Sequence, residues 1–270
     1  MQYVDTHAHV FSHHAPFAKD VRYTPEHTVT AEDYIRELDR YGFTHGVLIQ
    51  PSFYGQDNSY MLAAIAKFPE RLKGVAVVSE RMSRSALQKL KDQGIVGARL
   101  NLFGKPCPEL TAPVWQQFLA RVAEMGWQIE LHAPPSYLVQ VLPPLSHYAI
   151  DVVIDHFGRF DPATGVDSAE YQAFLNMLNP EQHWVKVSGF YRLGADNGVH
   201  NAKEALALLL ARDMQARLIW GSDWPHTQHD EISFDVSLTT FRDIMNDDAL
   251  AKTILTDNNA RLFGFQAAMA

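Results

Sequence analysis

The chain has 270 residues, 47% of them apolar, enough to bury a substantial core. Its 31 acidic against 23 basic residues give a formal charge of −8 with no Lys/Arg cluster, which argues against a nucleic-acid partner held through its phosphates. Cys107 is the single cysteine, so neither an intrachain disulfide nor a thiolate metal cluster is available. No run of eighteen apolar residues offers a membrane span, and no basic or cleavable segment precedes the apolar stretch that opens at Tyr3; a protein free of membranes and cytoplasmic is expected.

In chain order, short β-branched apolar runs alternate with amphipathic stretches. Strands are expected at Tyr3–His9, His45–Pro51, Leu72–Val78, Gly94–Asn101, Gln128–Ala133, Asp151–Gly158, His183–Gly189 and Ala216–Pro225. Helices are expected at Ala31–Tyr41, Asn58–Phe68, Ser83–Gln93, Ala112–Met125, Ser168–Leu178, Asn201–Arg212 and Ser233–Met245, with a last one at Asp247–Leu262 to close the ring. Thr30 followed three residues later by Asp33 resembles a capping box ahead of the first helix. The runs HGVLIQP, DVVIDHFG and RLIWGSDWP are apolar until their C-terminal ends, as buried parallel strands are. A doubly wound sheet is the structural alternative, but no G-x-G-x-x-G follows any strand. Eight strand–helix alternations without linker, repeat or low-complexity tract predict an α/β protein with one (β/α)₈ barrel domain over residues 1–270.

In such a barrel the chemistry sits at the C-terminal ends of the strands. The first strand ends Asp5-Thr6-His7-Ala8-His9, and residues at i and i+2 share one strand face, so both imidazoles can enter the barrel mouth. An H-x-H alone is weak evidence. The other ends add Gln50-Pro51-Ser52, Arg99-Leu100-Asn101, Glu130-Leu131-His132, Asp155-His156-Phe157-Gly158, Ser188-Gly189-Phe190-Tyr191-Arg192 and Gly221-Ser222-Asp223-Trp224-Pro225. Burying that many ionisable groups at one end without a ligand would cost several kcal/mol, so a functional cleft is the better reading.

The segments VDTHAHVF, RYTPEHT, GARLN, IDHFGR, VKVSGFYRL, IWGSDWPH and DNNARLFGF, taken in order from Val4 to about Phe263, resemble the amidohydrolase superfamily of the amidohydrolase 2 type. Within it they are most similar to the lactone-processing branch that holds 2-pyrone-4,6-dicarboxylate lactonase. The resemblance implies a hydrolase in which Asp223 is the general base that activates water, while His7, His9 and His156 polarise the substrate carbonyl without a metal. It further implies that Arg99 and Arg192 contact substrate carboxylates, for which a planar guanidinium is suited. Ser52, Tyr23, His132 and His226 are further candidates to touch substrate. Each has a plainer reading: a helix cap for Asp223 or Ser52, a packed core residue for His156, an ion pair of Arg192 with Asp161 or Asp196. His13 and His14 read as solvated loop residues, and Trp220, Trp224, Phe190 and Tyr191 as packing or pocket wall.

His132 stands where many metal-dependent amidohydrolases place a ligand. With His7, His9 and Asp223 it would form an N₃O set suited to Zn²⁺ or another divalent ion, so the cofactor expectation is either none or one such metal. Arg99 and Asn101 occupy the fourth strand end in place of a bridging Lys or Glu, and Lys105 lies beyond it in a loop, so a two-metal site is not expected. The leading expectation is hydrolysis of a carboxylate-bearing lactone. A mononuclear metal-dependent hydrolase or decarboxylase, a lactone isomerase, and a non-catalytic carboxylate-binding barrel are the alternatives. The sequence carries no signal for the particular ring or for oligomeric state.

Overall fold

The computed structural model describes residues 2–19, 21 and 23–265 of the chain, which leaves Arg22 of the RYTPEHT segment outside the described residues. Eight strands form one all-parallel sheet in sequence order: β1 (Val4–Ala8), β2 (His45–Ile49), β3 (Leu72–Ala76), β4 (Ile95–Asn101), β5 (Gln128–His132), β6 (Val152–Ile154), β7 (His183–Lys186) and β8 (Leu218–Ile219). The seam between β8 and β1 is closed by the backbone bonds Thr6 N to Trp220 O (3.3 Å), Asp223 N to His7 O (2.8 Å) and His9 N to Trp224 O (2.8 Å). This is the expected (β/α)₈ barrel.

Helices follow the strands: α1 (Ala31–Tyr41), α2 (Ser59–Lys67), α3 (Arg84–Asp92), α4 (Pro113–Met125), α5 (Pro135–Leu145), α6 (Ala169–Asn176), α7 (Gly198–Leu210) and α8 (Phe234–Met245). The capping box is present, with Asp33 N donating to Thr30 Oγ1 at 3.1 Å and Thr30 N to Asp33 Oδ2 at 2.9 Å. The sequence pattern yields no helix where α5 lies, because four prolines disguise it. Pro134 and Pro135 sit at the helix start, where no N–H is needed, and Pro143 and Pro144 fall in its last turn.

The last three strands are shorter than expected. The chain leaves extended geometry at His156 (φ 46°), Gly189 (φ 64°) and Asp223 (φ 62°), and a left-handed residue cannot continue a strand. The polar ends of DVVIDHFG and RLIWGSDWP are therefore turns that curl over the barrel mouth rather than strand.

The closing helix is also not continuous. It comprises α9 (Asp248–Thr253), a π turn (Ile254–Asn258) and α10 (Asn259–Phe263). The break lets two successive asparagines reach the sheet: Asn258 Nδ2 donates to Gln215 O and Leu218 O, and Asn259 Nδ2 donates to Val4 O and Trp220 O. Among the described residues no helix is long and apolar enough to cross a membrane.

Two apolar layers frame the site. A large cluster lies between strands and helices, and a smaller one joins Val4, Val47, Val75, Val153, Trp184 and Ile219 to Phe263 and Phe265. Two residues further along the same faces, Trp184 gives way to Lys186 and Val153 to Asp155, so an ionic layer lies directly on the apolar one.

Candidate active site

The barrel mouth encloses a cavity of about 320 Å³, lined by His7, His9, Tyr23, Ser52, Arg99, His132, His156, Arg192 and Asp223 among others. Nine of the ten expected site residues thus converge on one space. His226 does not line it: the residue is buried behind Tyr191, whose hydroxyl lies 3.2 Å from its Nδ1.

The centre is a triangle of ligand-type atoms. His7 Nε2 and His9 Nε2 are 3.2 Å apart, and Asp223 Oδ1 lies 3.6 Å from the first and 3.7 Å from the second. The other carboxylate oxygen, Oδ2, accepts from Arg192 Nε at 2.5 Å and Tyr191 OH at 2.7 Å. Burial alone would raise the Asp223 carboxyl; the Arg192 guanidinium and the neighbouring histidines outweigh it and hold the pKa well below the carboxylate range. Arg192 therefore pairs with Asp223 itself, not with Asp161 or Asp196. Tyr191, expected as packing or wall, is a direct partner of the carboxylate.

His156 packs against His7 with ring centres 4.9 Å apart, and its Nδ1 meets Ser188 Oγ at 3.1 Å. Burial holds His156 at about 3 and keeps His7 and His132 well below 6.5, so all three are neutral near pH 7. Gly189 makes room for this arrangement, because a Cβ there would come within 2.7 Å of His156 Nδ1. Tyr23 donates to Thr227 at 3.0 Å on the opposite wall.

Beneath the mouth lies a buried ionic layer that the sequence reading left out. Lys186, fully buried, donates to Glu130 Oε2 at 2.6 Å and lies 3.1 Å from Asp155 Oδ1 and 3.0 Å from His7 Nδ1. Arg99 Nη2 donates to Asp155 Oδ2 at 2.8 Å, so the guanidinium expected as a free clamp is already neutralised by a neighbour. Burial, with the Asp155 charge beside it, raises Glu130 to about 7. The available signal was a charge inside an apolar strand: Lys186 stands between Val185 and Val187, and a buried lysine requires partners.

Asp5 is the second omission. Its Oδ1 accepts from Ser222 N (2.7 Å) and His7 N (3.2 Å), and its Oδ2 from Ser222 Oγ (2.6 Å) and Tyr34 OH (2.9 Å). One carboxylate thereby ties the H-x-H segment to the residue that precedes Asp223. Gly221 allows the close approach, since a Cβ there would lie 2.4 Å from His7 N.

The donor set can be tested for a metal. His7 Nε2, His9 Nε2 and Asp223 Oδ1 lie on a circle of radius about 2.0 Å, the length of a Zn–N or Zn–O bond. His132 belongs to neither three-residue group of suitable spacing (His7, His9 and Asp223, or His7, Asp155 and His156); its Nδ1 is engaged with Asn101 Oδ1 at 3.2 Å. Three of the four expected residues fall in one group of suitable spacing, while among the described residues His132 Nε2 is buried with no hydrogen-bond partner. Those three match a divalent ion in spacing but not in protonation, because the ammonium of Lys186 on His7 Nδ1 requires the lone pair there.

Residues 4–265 match the sequence model of the amidohydrolase family. A 2-pyrone-4,6-dicarboxylate hydrolase of Comamonas testosteroni is 32% identical over 96% of this chain and 89% of its own length. A 4-sulfomuconolactone hydrolase of Rhizobium radiobacter is 30% identical, with the same two shares. A crystal structure from Acinetobacter baumannii, described as a probable 2-pyrone-4,6-dicarboxylic acid hydrolase with citric acid bound, is 50% identical and superposes with a TM-score of 0.97 over 98% of this chain and 100% of that one. A family match over nearly the whole described chain, with such relatives beside it, places this protein in the amidohydrolase family.

Proposed function

We propose that this protein hydrolyses a lactone bearing one or more carboxylates, with Asp223 as general base. The observation that carries the reading is the division of labour on one buried carboxylate. Oδ2 is held by Arg192 and Tyr191, while Oδ1 is left facing His7, His9 and the cavity. The names of the relatives supply the substrate class, and the polar lining of Arg192, Tyr23, Ser52 and His132 suits an anionic ring.

In this scheme water attacks the lactone carbonyl as its proton passes to Asp223 Oδ1. His7 and His156, both neutral, donate N–H hydrogen bonds to the oxyanion, and His9 flanks His7. Collapse breaks the ring C–O bond, and Asp223 returns the proton to the departing oxygen. The product is an open-chain acid carrying one more carboxylate than the substrate.

Asp223→Asn keeps the shape and removes the base. It is expected to lower kcat on the order of 10³-fold with substrate affinity largely retained, measured on a panel of pyrone, sugar-acid and muconic lactones. A variant with normal kcat overturns the assignment. The metal-dependent alternative draws support from the triangle of His7, His9 and Asp223. Metal analysis of the active protein, with rates before and after chelation, decides between the two.

A further inference from the structure

We propose that Lys186 is a positioning residue that locks His7 in the tautomer with its proton on Nε2, so that His7 meets the cavity as a hydrogen-bond donor and offers no lone pair to a metal ion.

Two independent sides of the His7 ring require the same tautomer. On one side is Lys186, whose ammonium has three protons and no acceptor. It donates to Glu130 Oε2 at 2.6 Å and to His7 Nδ1 at 3.0 Å, with Asp155 Oδ1 3.1 Å away as an ion-pair partner. Lys186 is held by ion pairs to Glu130 and Asp155 and can only donate, so Nδ1 carries the lone pair. Asp155 Oδ1 is 3.5 Å from the same nitrogen, too long to compete for a proton there while Lys186 stands closer to both.

On the other side is His9. Its Nδ1 is 2.7 Å from the backbone carbonyl of Ile49, which only accepts, so Nδ1 is the protonated nitrogen. The Nδ1–H tautomer of His9 turns its Nε2 lone pair toward His7 Nε2 at 3.2 Å, while Asp223 Oδ1, at 3.6 Å, lies beyond hydrogen-bond reach. That lone pair calls for a donor, and a proton on His7 Nε2 supplies it. A chain of donors runs from Lys186 through His7 and His9 to the Ile49 carbonyl.

The tautomer follows from these contacts alone; its catalytic value, a donor aimed at the oxyanion, rests on the lactone-hydrolase reading. The two are separable by experiment. Long-range ¹H–¹⁵N correlation spectra of histidine-labelled wild-type protein, with His7 assigned by the signals lost in His7→Asn, are expected to show a protonated Nε2 and an unprotonated Nδ1. A protonated Nδ1 overturns the proposal, whatever the substrate proves to be.

Lys186→Gln replaces a pure donor by a side chain whose carbonyl accepts from Nδ1–H. His7 is expected to switch tautomer, and Zn²⁺ affinity measured by equilibrium dialysis against ZnCl₂ to rise about tenfold or more, the usual reach of outer-shell changes. With substrate, kcat is expected to fall on the order of 10²-fold at little changed KM, as when one oxyanion donor is lost. Lys186→Arg, again a pure donor, is expected to restore the wild-type tautomer. Unchanged tautomer and zinc affinity in a folded Lys186→Gln protein would overturn the role of the lysine; if that variant does not fold, the wild-type spectrum decides.

Discussion

Asp223 concentrates several demands on one side chain. It adopts a left-handed backbone (φ 62°), which costs a non-glycine residue about 1–2 kcal/mol, and it is almost fully buried as an anion. Such strain persists only where neighbours impose it, here Arg192 and Tyr191 on the side chain and the His7 carbonyl on the backbone N–H. Tyr191→Phe removes one donor from Oδ2 and leaves the ion pair with Arg192. The Asp223 pKa then rises, and the acid limb of the pH profile of kcat/KM is expected to move up by about one unit. An unmoved limb would show that Tyr191 shapes the wall only. Gly189 makes a complementary demand. Gly189→Ala strains a positive φ and drives a methyl into His156, so kcat is expected to fall together with a stability loss of about 1–2 kcal/mol in urea titration. The H-x-H pair and Asp223 were legible as residues, since polar groups ending apolar strands stand out. Tyr191 was not, because only the fold brings it beside a carboxylate thirty-two positions away.

At the scale of elements, the seam between β1 and β8 is the vulnerable joint, because β8 contributes only two strand residues. Side chains carry what the ladder does not: Asp5 bridges Ser222 and His7, and Asn259 bridges Val4 and Trp220 while accepting from Trp220 N at 3.2 Å. Asn259→Leu strands two buried backbone groups, Val4 O and Trp220 N, and is expected to cost about 3 kcal/mol in denaturant unfolding, with weakened activity at the temperatures where β8 loosens. A loss within a few tenths of a kcal/mol would show that the seam does not depend on it. The motif DNNARLFGF was visible in the sequence, but its use was not; a continuous helix was the natural reading, and the π turn that aims both asparagines inward has no periodic signature. The helix α5 was hidden for the opposite reason, since its prolines carry a strong breaker signal that position at the helix ends makes harmless.

The whole molecule buries an unusual load of titratable groups, and its stability should follow pH accordingly. His156 is held at about 3, His226 and His183 at about 4, and His7 and His132 well below 6.5, in each case chiefly by burial. Depressed histidine pKa values give stability that is present above 6.5 and lost as pH falls through the window below it. Asp5, raised to about 6, and Glu130, raised to about 7, act in the other direction: their contributions are complete below their ordinary values and are lost as pH rises through 6 to 7. Five histidines outweigh two acids. The thermal midpoint followed by circular dichroism is expected to drop steeply between pH 6.5 and 4.5, and Asp5→Asn to steepen that drop by removing an opposing group. A midpoint flat across this range would refute the balance drawn here.

The alternation of apolar runs with amphipathic stretches determined the barrel, because period and burial are local properties that every turn of chain repeats. The same locality exposed most of the cavity-lining residues, since a barrel gathers its chemistry at one end of each strand. Pairing was decided only by the tertiary structure. Whether Arg99 meets substrate or Asp155, whether Arg192 takes Asp161 or Asp223, and which proton His7 carries all depend on distances between strands far apart in sequence. Coulomb energies and hydrogen bonds fall off over a few ångströms, so they are set by the closed ring and not by the order of residues along the chain.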